Sequence, residues 1–209
     1  MTKPPRPPLT SAMIIQAAIA LIHRDGLERL SMRALALELR VDPMAVYYHL
    51  PNKAALLHAV YDTVLGELFV PQLPGGPWRQ RLEALAHRYR AVAVRHHSVF
   101  RGLISSGDTP PNERRALDYL LTACIEADLS PQSTIQAADT LFSYVTGFAL
   151  IETKHMLHPE VNTDLARPGG PERLPAERLI GMLPEHPFAD SFEYGLQAVL
   201  SGIEALRPA

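Results

Sequence analysis

Nineteen prolines cut this chain into segments. They cluster at 4–8, 71–77, 110–111 and 159–187, and only Pro43, Pro51, Pro131 and Pro208 fall outside those clusters. Proline lacks the backbone N–H, and its ring collides with the carbonyl four residues back, so a helix tolerates it only at the first turn. Helices are therefore confined to the proline-free spans 9–42, 52–70, 78–109, 112–130, 132–158 and 188–207. None of these shows the sustained alternation a half-buried strand needs, and the helix formers Ala and Leu dominate them. The pattern predicts an all-α chain. Residues 159–187, with six prolines and Gly169-Gly170, read as a loop.

The bulk numbers narrow the class. A chain of 209 residues, 47% hydrophobic and 20% charged, is globular and suits one domain, or a small domain fused to a larger one. The single cysteine, Cys124, allows no intrachain disulfide, which fits a reducing compartment. The run "AMIIQAAIALI" at 12–22 follows Lys3 and Arg6 as a signal peptide would. Gln16 interrupts it, no small-x-small cleavage site follows, and it is too short to span a bilayer. A soluble cytoplasmic protein without membrane association is expected. No nucleophile elbow, phosphate loop or paired-cysteine motif appears, so no catalytic residue, enzyme activity or cofactor is expected.

Nine histidines raise the question of metal. Glu152, His155 and His158 recur at i, i+3 and i+6, but Pro159 ends that helix at once, and a solvated helix end is expected there. His96 and His97 are adjacent, so a helix points them about 100° apart, a poor chelate. No metal site is expected.

The N-terminal region carries the most specific pattern. Ile14, Ala17, Ala18, Leu21 and Ile22 recur at helical spacing, with Thr10 or Ser11 able to cap the start and Gly26 to stop the helix. Ser31 then caps a second helix with Leu35, Ala36 and Leu39 on one face. Arg40-Val41 makes a tight turn, and Asp42 and Pro43 suit the N-cap and first position of a third helix. Residues 31–50 thus read as helix, short turn, short helix. A fourth helix opens near Asn52 and carries Leu56, Leu57, Val60, Val64 and Leu68.

At about 100° per residue, Val46 and Leu50 of the third helix point inward, while Met44, Ala45, Tyr48 and His49 point out and Tyr47 lies at the boundary. That outward face is uncharged and weakly polar. Water suits it poorly; the DNA major groove suits it well, because apolar groups there meet thymine methyls. Tyrosine hydroxyls reach phosphates, and Lys53 stands just beyond beside the free N–H groups of the next helix. Either tyrosine alone would read as packing in a small helical core. The helix–turn–helix spacing, the apolar outward face, Lys53, and Arg33 in the first turn of the preceding helix together read as a nucleic-acid-binding head. Residues 1–64 carry seven Lys/Arg against five Asp/Glu, a net of +2 in a chain whose total is −2.

The stretch "AAIALIHRDGLERLSMRALALELRVDPMAVYYHLPNKAALLHAVYD", residues 17–62, resembles the DNA-binding head of the TetR family of bacterial transcriptional regulators. Gly26, "LSMRALA", "VYYHLPNK" and "LLHAV" carry the resemblance through their order and spacing. The resemblance implies DNA contacts by Ser31 and Arg33 at the start of the second helix. It implies further contacts by Pro43, Met44, Ala45, Tyr47, Tyr48 and His49 in the recognition helix, and by Lys53 as phosphate clamp. "PPRPPLT", "YVTGFALIE" and "FEYGLQAVLSGIEAL" are similar to the tetracycline-repressor-like branch. One position departs: the family's usual turn glycine is Arg40 here. A side chain held left-handed there costs on the order of 1 kcal/mol, so either the turn differs or Arg40 is kept for a phosphate. Pro43 has no donor, so base specificity falls to its neighbours.

Beyond the head, Phe192, Leu196, Val199, Leu200, Ile203 and Leu206 form an apolar stripe, with Gly195, Ala198 and Gly202 leaving room for a neighbouring helix. Packing inside the monomer would explain the stripe; the resemblance implies a homodimer interface through Gly195, Val199 and Gly202. Of the central apolar residues, Tyr89, Phe100, Leu117 and Phe142 are candidates to line an effector cavity. The expected organisation is a three-helix head with its arm at 1–52, joined to a larger helical effector-binding and dimerisation bundle at 53–209, with helix 52–70 as the link. The expected function is a repressor that binds a palindromic operator in double-stranded DNA and is released by a small molecule. The alternatives are an all-α enzyme or carrier without sequence-specific DNA binding, and a transcriptional activator.

Overall fold

The computed structural model describes residues 8–157 and 188–208. Among these residues there is no strand, and nine α-helices follow one another: α1 (Ser11–Asp25), α2 (Met32–Leu39), α3 (Pro43–His49), α4 (Lys53–Gly66), α5 (Trp78–Arg95), α6 (His97–Ser106), α7 (Pro111–Glu126), α8 (Pro131–Leu157) and α9 (Phe188–Ala205). Pro43, Pro111 and Pro131 each stand at a first helical position, where the missing N–H costs nothing. No helix among the described residues is long and apolar enough to cross a membrane. The arm 1–7, His158 and the proline-rich segment 159–187 lie outside the described residues.

Contacts sort the chain into two compact units: residues 1–72 with 96–117, and residues 73–95 with 118–209. The first unit is built around α1 and α4. α1 buries Ile14, Ala18, Ile19, Leu21 and Ile22, and α4 buries Leu56, Val60, Tyr61, Val64 and Leu65. α6 adds Val99, Phe100 and Leu103. At Gly102 the approach is so close that a Cβ would overlap the Leu27 side chain and lie 2.8 Å from the Tyr61 hydroxyl.

Side-chain caps set the helix starts. Thr10 Oγ1 accepts from the Met13 N–H at 3.2 Å, Ser31 Oγ from Ala34 at 3.1 Å, Asp42 Oδ1 from Met44 at 2.8 Å and Asn52 Oδ1 from Ala55 at 2.8 Å. Each satisfies a donor the helix leaves open, and its loss typically costs about 1 kcal/mol. α2 ends on Arg40 at φ 55°, ψ 47°. The Arg40 N–H donates to Leu37 O at 3.1 Å and the Val41 N–H to Ala36 O at 3.0 Å, which is a Schellman closure. The sequence leaves two options at this turn, and the structure adopts the left-handed one. α4 stops at Gly66, short of the expected 70, and a 3-10 turn covers Glu67–Phe69. Val70 precedes Pro71 and is held extended (φ −125°, ψ 113°), because the proline ring disfavours helix at the residue before it.

In the second unit α8 packs against both α5 and α9. α9 buries Phe192, Leu196, Leu200 and Ile203. The Tyr144 hydroxyl of α8 donates to the Phe192 carbonyl at 2.7 Å. Gly195 makes this approach possible, since a Cβ there would overlap the Tyr144 phenol. The Arg90 guanidinium makes two 2.7 Å bonds to Glu152 and lies 4.7 Å over the Phe192 ring. Cys124 is buried, and burial pushes its thiol up to about 11.

Candidate nucleic-acid interface

Val46, fully buried, pins α3 into the head, with Leu50 half-buried at its end. The other face is open. Tyr48 is 88% exposed, Met44 71% and Tyr47 40%, while Ala45 and His49 are half-buried. Tyr48 and His49 set their rings edge to face at 5.5 Å. One large apolar side chain and two phenols therefore stand in water on one seven-residue helix, and their burial awaits a partner.

The flanking cations are free for that partner. Among the described residues, neither Arg33, exposed in the first turn of α2, nor Lys53, exposed as the first residue of α4, has an acidic partner. Arg24 behaves differently. It bonds Asp25 at 3.1 Å and Glu38 at 3.0 Å, and it holds Glu38 below the usual carboxylate range. Ser31 Oγ spends a lone pair on the α2 cap and keeps its hydroxyl hydrogen for an acceptor. Pro43 is exposed at the head of α3 with no N–H to give. Ser31, Arg33, Met44, Tyr47 and Tyr48 are all exposed on the α2–α3 helix–turn–helix, and Lys53 is exposed at the start of α4 in the same unit. This is a helix–turn–helix DNA-binding protein.

The chain matches the family model described as bacterial regulatory proteins, tetR family, over residues 14–60, and the tetracyclin repressor-like C-terminal domain over residues 70–207. It is 30% identical over 216 residues to the HTH-type transcriptional repressor DrrR1 of Streptomyces coeruleorubidus, covering 97% of this chain and 80% of that one. It is 28% identical over 206 residues to the class G tetracycline repressor of Vibrio anguillarum, covering 96% of each. The Streptomyces coelicolor TetR family protein ActR, solved in complex with actinorhodin, superposes with a TM-score of 0.75 at 25% identity over 95% of this chain and 98% of that one. The chain belongs to the tetR family of bacterial regulatory proteins. It is a ligand-responsive, DNA-binding transcriptional regulator, from a family whose repressors bind operator DNA as dimers and answer to small-molecule effectors.

Of the candidate effector residues, Tyr89 and Phe142 meet in the second unit, with ring centroids 5.6 Å apart. Tyr89 is buried and Phe142 is 39% exposed. Phe100 and Leu117 belong to the first unit, Phe100 in its core and Leu117 at its surface. On α9, Gly195 is occupied by Tyr144 of its own protomer, Val199 is half-buried, and Gly202 is exposed with nothing within 4 Å of a built Cβ.

Of the histidines weighed for metal, His155 lies 5.2 Å from the Phe188 ring, and Glu152, which was grouped with it, is committed to Arg90. Among the described residues no three His, Cys, Asp or Glu side chains converge as metal ligands would.

Two arrangements have no counterpart in the sequence reading. One is the part-buried Arg90–Glu152 pair, 62 residues apart. The other is a chain of hydrogen bonds through His23, His96 and Glu67. Neither partner set has a local spacing that could have announced it.

Proposed function

We propose that the protein is a one-component repressor that binds a palindromic operator as a homodimer and is released by an apolar or amphipathic effector. The observation that carries the reading is the exposed Met44–Tyr47–Tyr48 face set between the unpaired cations Arg33 and Lys53. In this reading Met44, Ala45, Tyr48 and His49 meet base edges. Arg33 reaches a guanine edge, Ser31, Tyr47 and Lys53 hold phosphates, and Pro43 fixes the entry angle of α3 without reading a base. Residues 1–52 form the reading head, and residues 53–209 hold the effector and the partner protomer, with α4 as the link.

Tyr89 and Phe142, which meet within the second unit, are proposed to contact the effector, and Gly195, Val199 and Gly202 to lie at the dimer interface. Relatives named as repressors, and the ActR complex with actinorhodin, support the reading of an effector-released repressor. The protein works in the cytoplasm, where the DNA is, and carries no catalytic activity.

The test is selection of a preferred duplex from a random pool, followed by a reporter assay on the gene's own promoter with and without the protein. Recovery of an inverted repeat and reporter silencing support the reading. An unenriched pool would leave an all-α carrier or enzyme, and a reporter that rises with the protein would make it an activator.

A further inference from the structure

Arg40 sits in the left-handed region, φ 55° and ψ 47°, at the joint between α2 and α3. That conformation is cheap for glycine and strained for a residue with a Cβ. The turn itself does not need the side chain: the closure uses only backbone donors, Arg40 N–H to Leu37 O and Val41 N–H to Ala36 O. Nor is the guanidinium held by the fold. Both oxygens of Glu38 are taken by Arg24, at 3.3 and 3.0 Å. The Arg40 side chain is exposed and, among the described residues, makes no hydrogen bond or ion pair of its own; it adds only, after Arg24, to the field that lowers the Glu38 pKa. A strained backbone carrying an unpaired cation, next to a binding face, points from the outlier to a function.

The position supplies one. Arg33 lies at the start of α2, Lys53 follows the end of α3, and Arg40 stands at the joint between the two helices. Each joint of the helix–turn–helix thus carries one unpaired cation. Building on the DNA-binding reading above, we infer that Arg40 is a further DNA-contact residue, whose guanidinium takes a backbone phosphate beside the groove that α3 enters. A guanidinium fits a phosphate in two-pronged fashion, and such contacts fix register without reading sequence. The left-handed strain is retained because it comes with that contact.

The test compares wild type, Arg40→Gly and Arg40→Lys. The probes are a mixed-sequence duplex and a duplex selected by the wild-type protein from a random pool. Arg40→Gly should melt at a higher temperature than wild type, yet bind both duplexes several-fold more weakly, with log K against log salt shallower by about one unit. Arg40→Lys should keep the slope. If Arg40→Gly binds both probes with wild-type affinity and slope, the contact does not exist. If it melts lower than wild type, the turn needs the side chain and the inference falls. Should wild type itself bind no duplex, the DNA-binding reading fails instead.

Discussion

The His96 ring stands between two partners: its Nδ1 is 3.1 Å from His23 Nε2, and its Nε2 is 2.9 Å from Glu67 Oε1. The chain of bonds ties the last turn of α1 to the turn after α4 through the α5–α6 joint, all within the first unit. Only one of the two facing nitrogens can carry a proton. Charging both imidazoles sets N–H against N–H and breaks the 3.1 Å contact.

A pH dependence follows. Burial lowers the pKa of His23 below its ordinary 6.5, the charges of His96 and His97 add to this, and Glu67 opposes it. The unfolded chain therefore binds the proton more readily than the folded one. The stability from this group is full above about pH 6.5 and is lost as pH falls from there through the lowered folded value. The His23 contribution to the melting temperature should be flat above that point and decline below it, and His23→Gln should remove that part of the decline. Superimposable pH profiles for wild type and His23→Gln would count against the coupling.

The contrast with the head shows what a sequence can carry. Caps, turn and recognition helix were legible because they are local: Ser31, Asp42 and Asn52 each cap a backbone N–H two or three residues ahead. The exposed Met44–Tyr48 face follows from angle alone. The break at His96 was not legible, since 78–109 holds no proline to mark it. The partners of Arg90 and His23 lie 62 and 73 residues away, and no periodicity reports such pairings. Gly195 was legible as a close approach but not as an approach by Tyr144 of the same chain.

Lys53 should act on every sequence alike. It begins α4 at the helix N-terminus and has no acidic partner among the described residues, so a phosphate is its proposed partner. Lys53→Ala should weaken binding to all duplexes by a common factor and make the salt dependence shallower by about one unit. Substitutions at Tyr48 and Arg33 should instead change the sequence recovered from a random pool. An unchanged salt slope in Lys53→Ala would remove the residue from the phosphate set.

The Arg90–Glu152 pair sets the second unit's tolerance to change. Its side chains are 19% and 11% exposed, with two 2.7 Å bonds between them. Glu152→Ala leaves a part-buried guanidinium without its carboxylate against Phe192; at fully buried pairs such losses cost about 3–5 kcal/mol, and the partial exposure of Arg90 should reduce the cost here. Replacing both partners with apolar residues of similar volume should cost much less, because both charges then leave together. Denaturant melts of the two single variants and the double variant measure this. Additive losses would mean that the pair is uncoupled.

Gly202 tests the proposed dimer interface. A built Cβ there meets nothing within 4 Å, so a side chain is tolerated by the protomer alone, whereas at Gly195 it would strike Tyr144. Gly202→Glu should therefore fold, melt near wild type as a protomer, run as a monomer on a sizing column, and lose operator binding. Recognition helices held at ~34–36 Å, or a multiple of it, require the pairing. A Gly202→Glu protein that still elutes as a dimer would take this part of α9 out of the interface.

The effector switch makes the last prediction. A ligand that binds both head spacings equally shifts nothing, so the effector must favour the spacing that misfits DNA. On the proposed reading α4 carries the difference. It presents Lys53 at one end, and the turn that follows it holds Phe69, whose ring lies 3.8 Å beneath the Arg115 guanidinium. A coupling of ~1–3 kcal/mol suffices for a 5–150-fold loss of operator affinity. Linkage makes that factor mutual: saturating operator must weaken effector binding by the same amount. Calorimetry of a true effector with and without operator duplex measures it directly. Arg115→Ala should shrink the difference if the Phe69 contact transmits it. Equal effector affinities in the two titrations would end the allosteric model, and the aromatic contact of Tyr89 with Phe142 would then be packing alone.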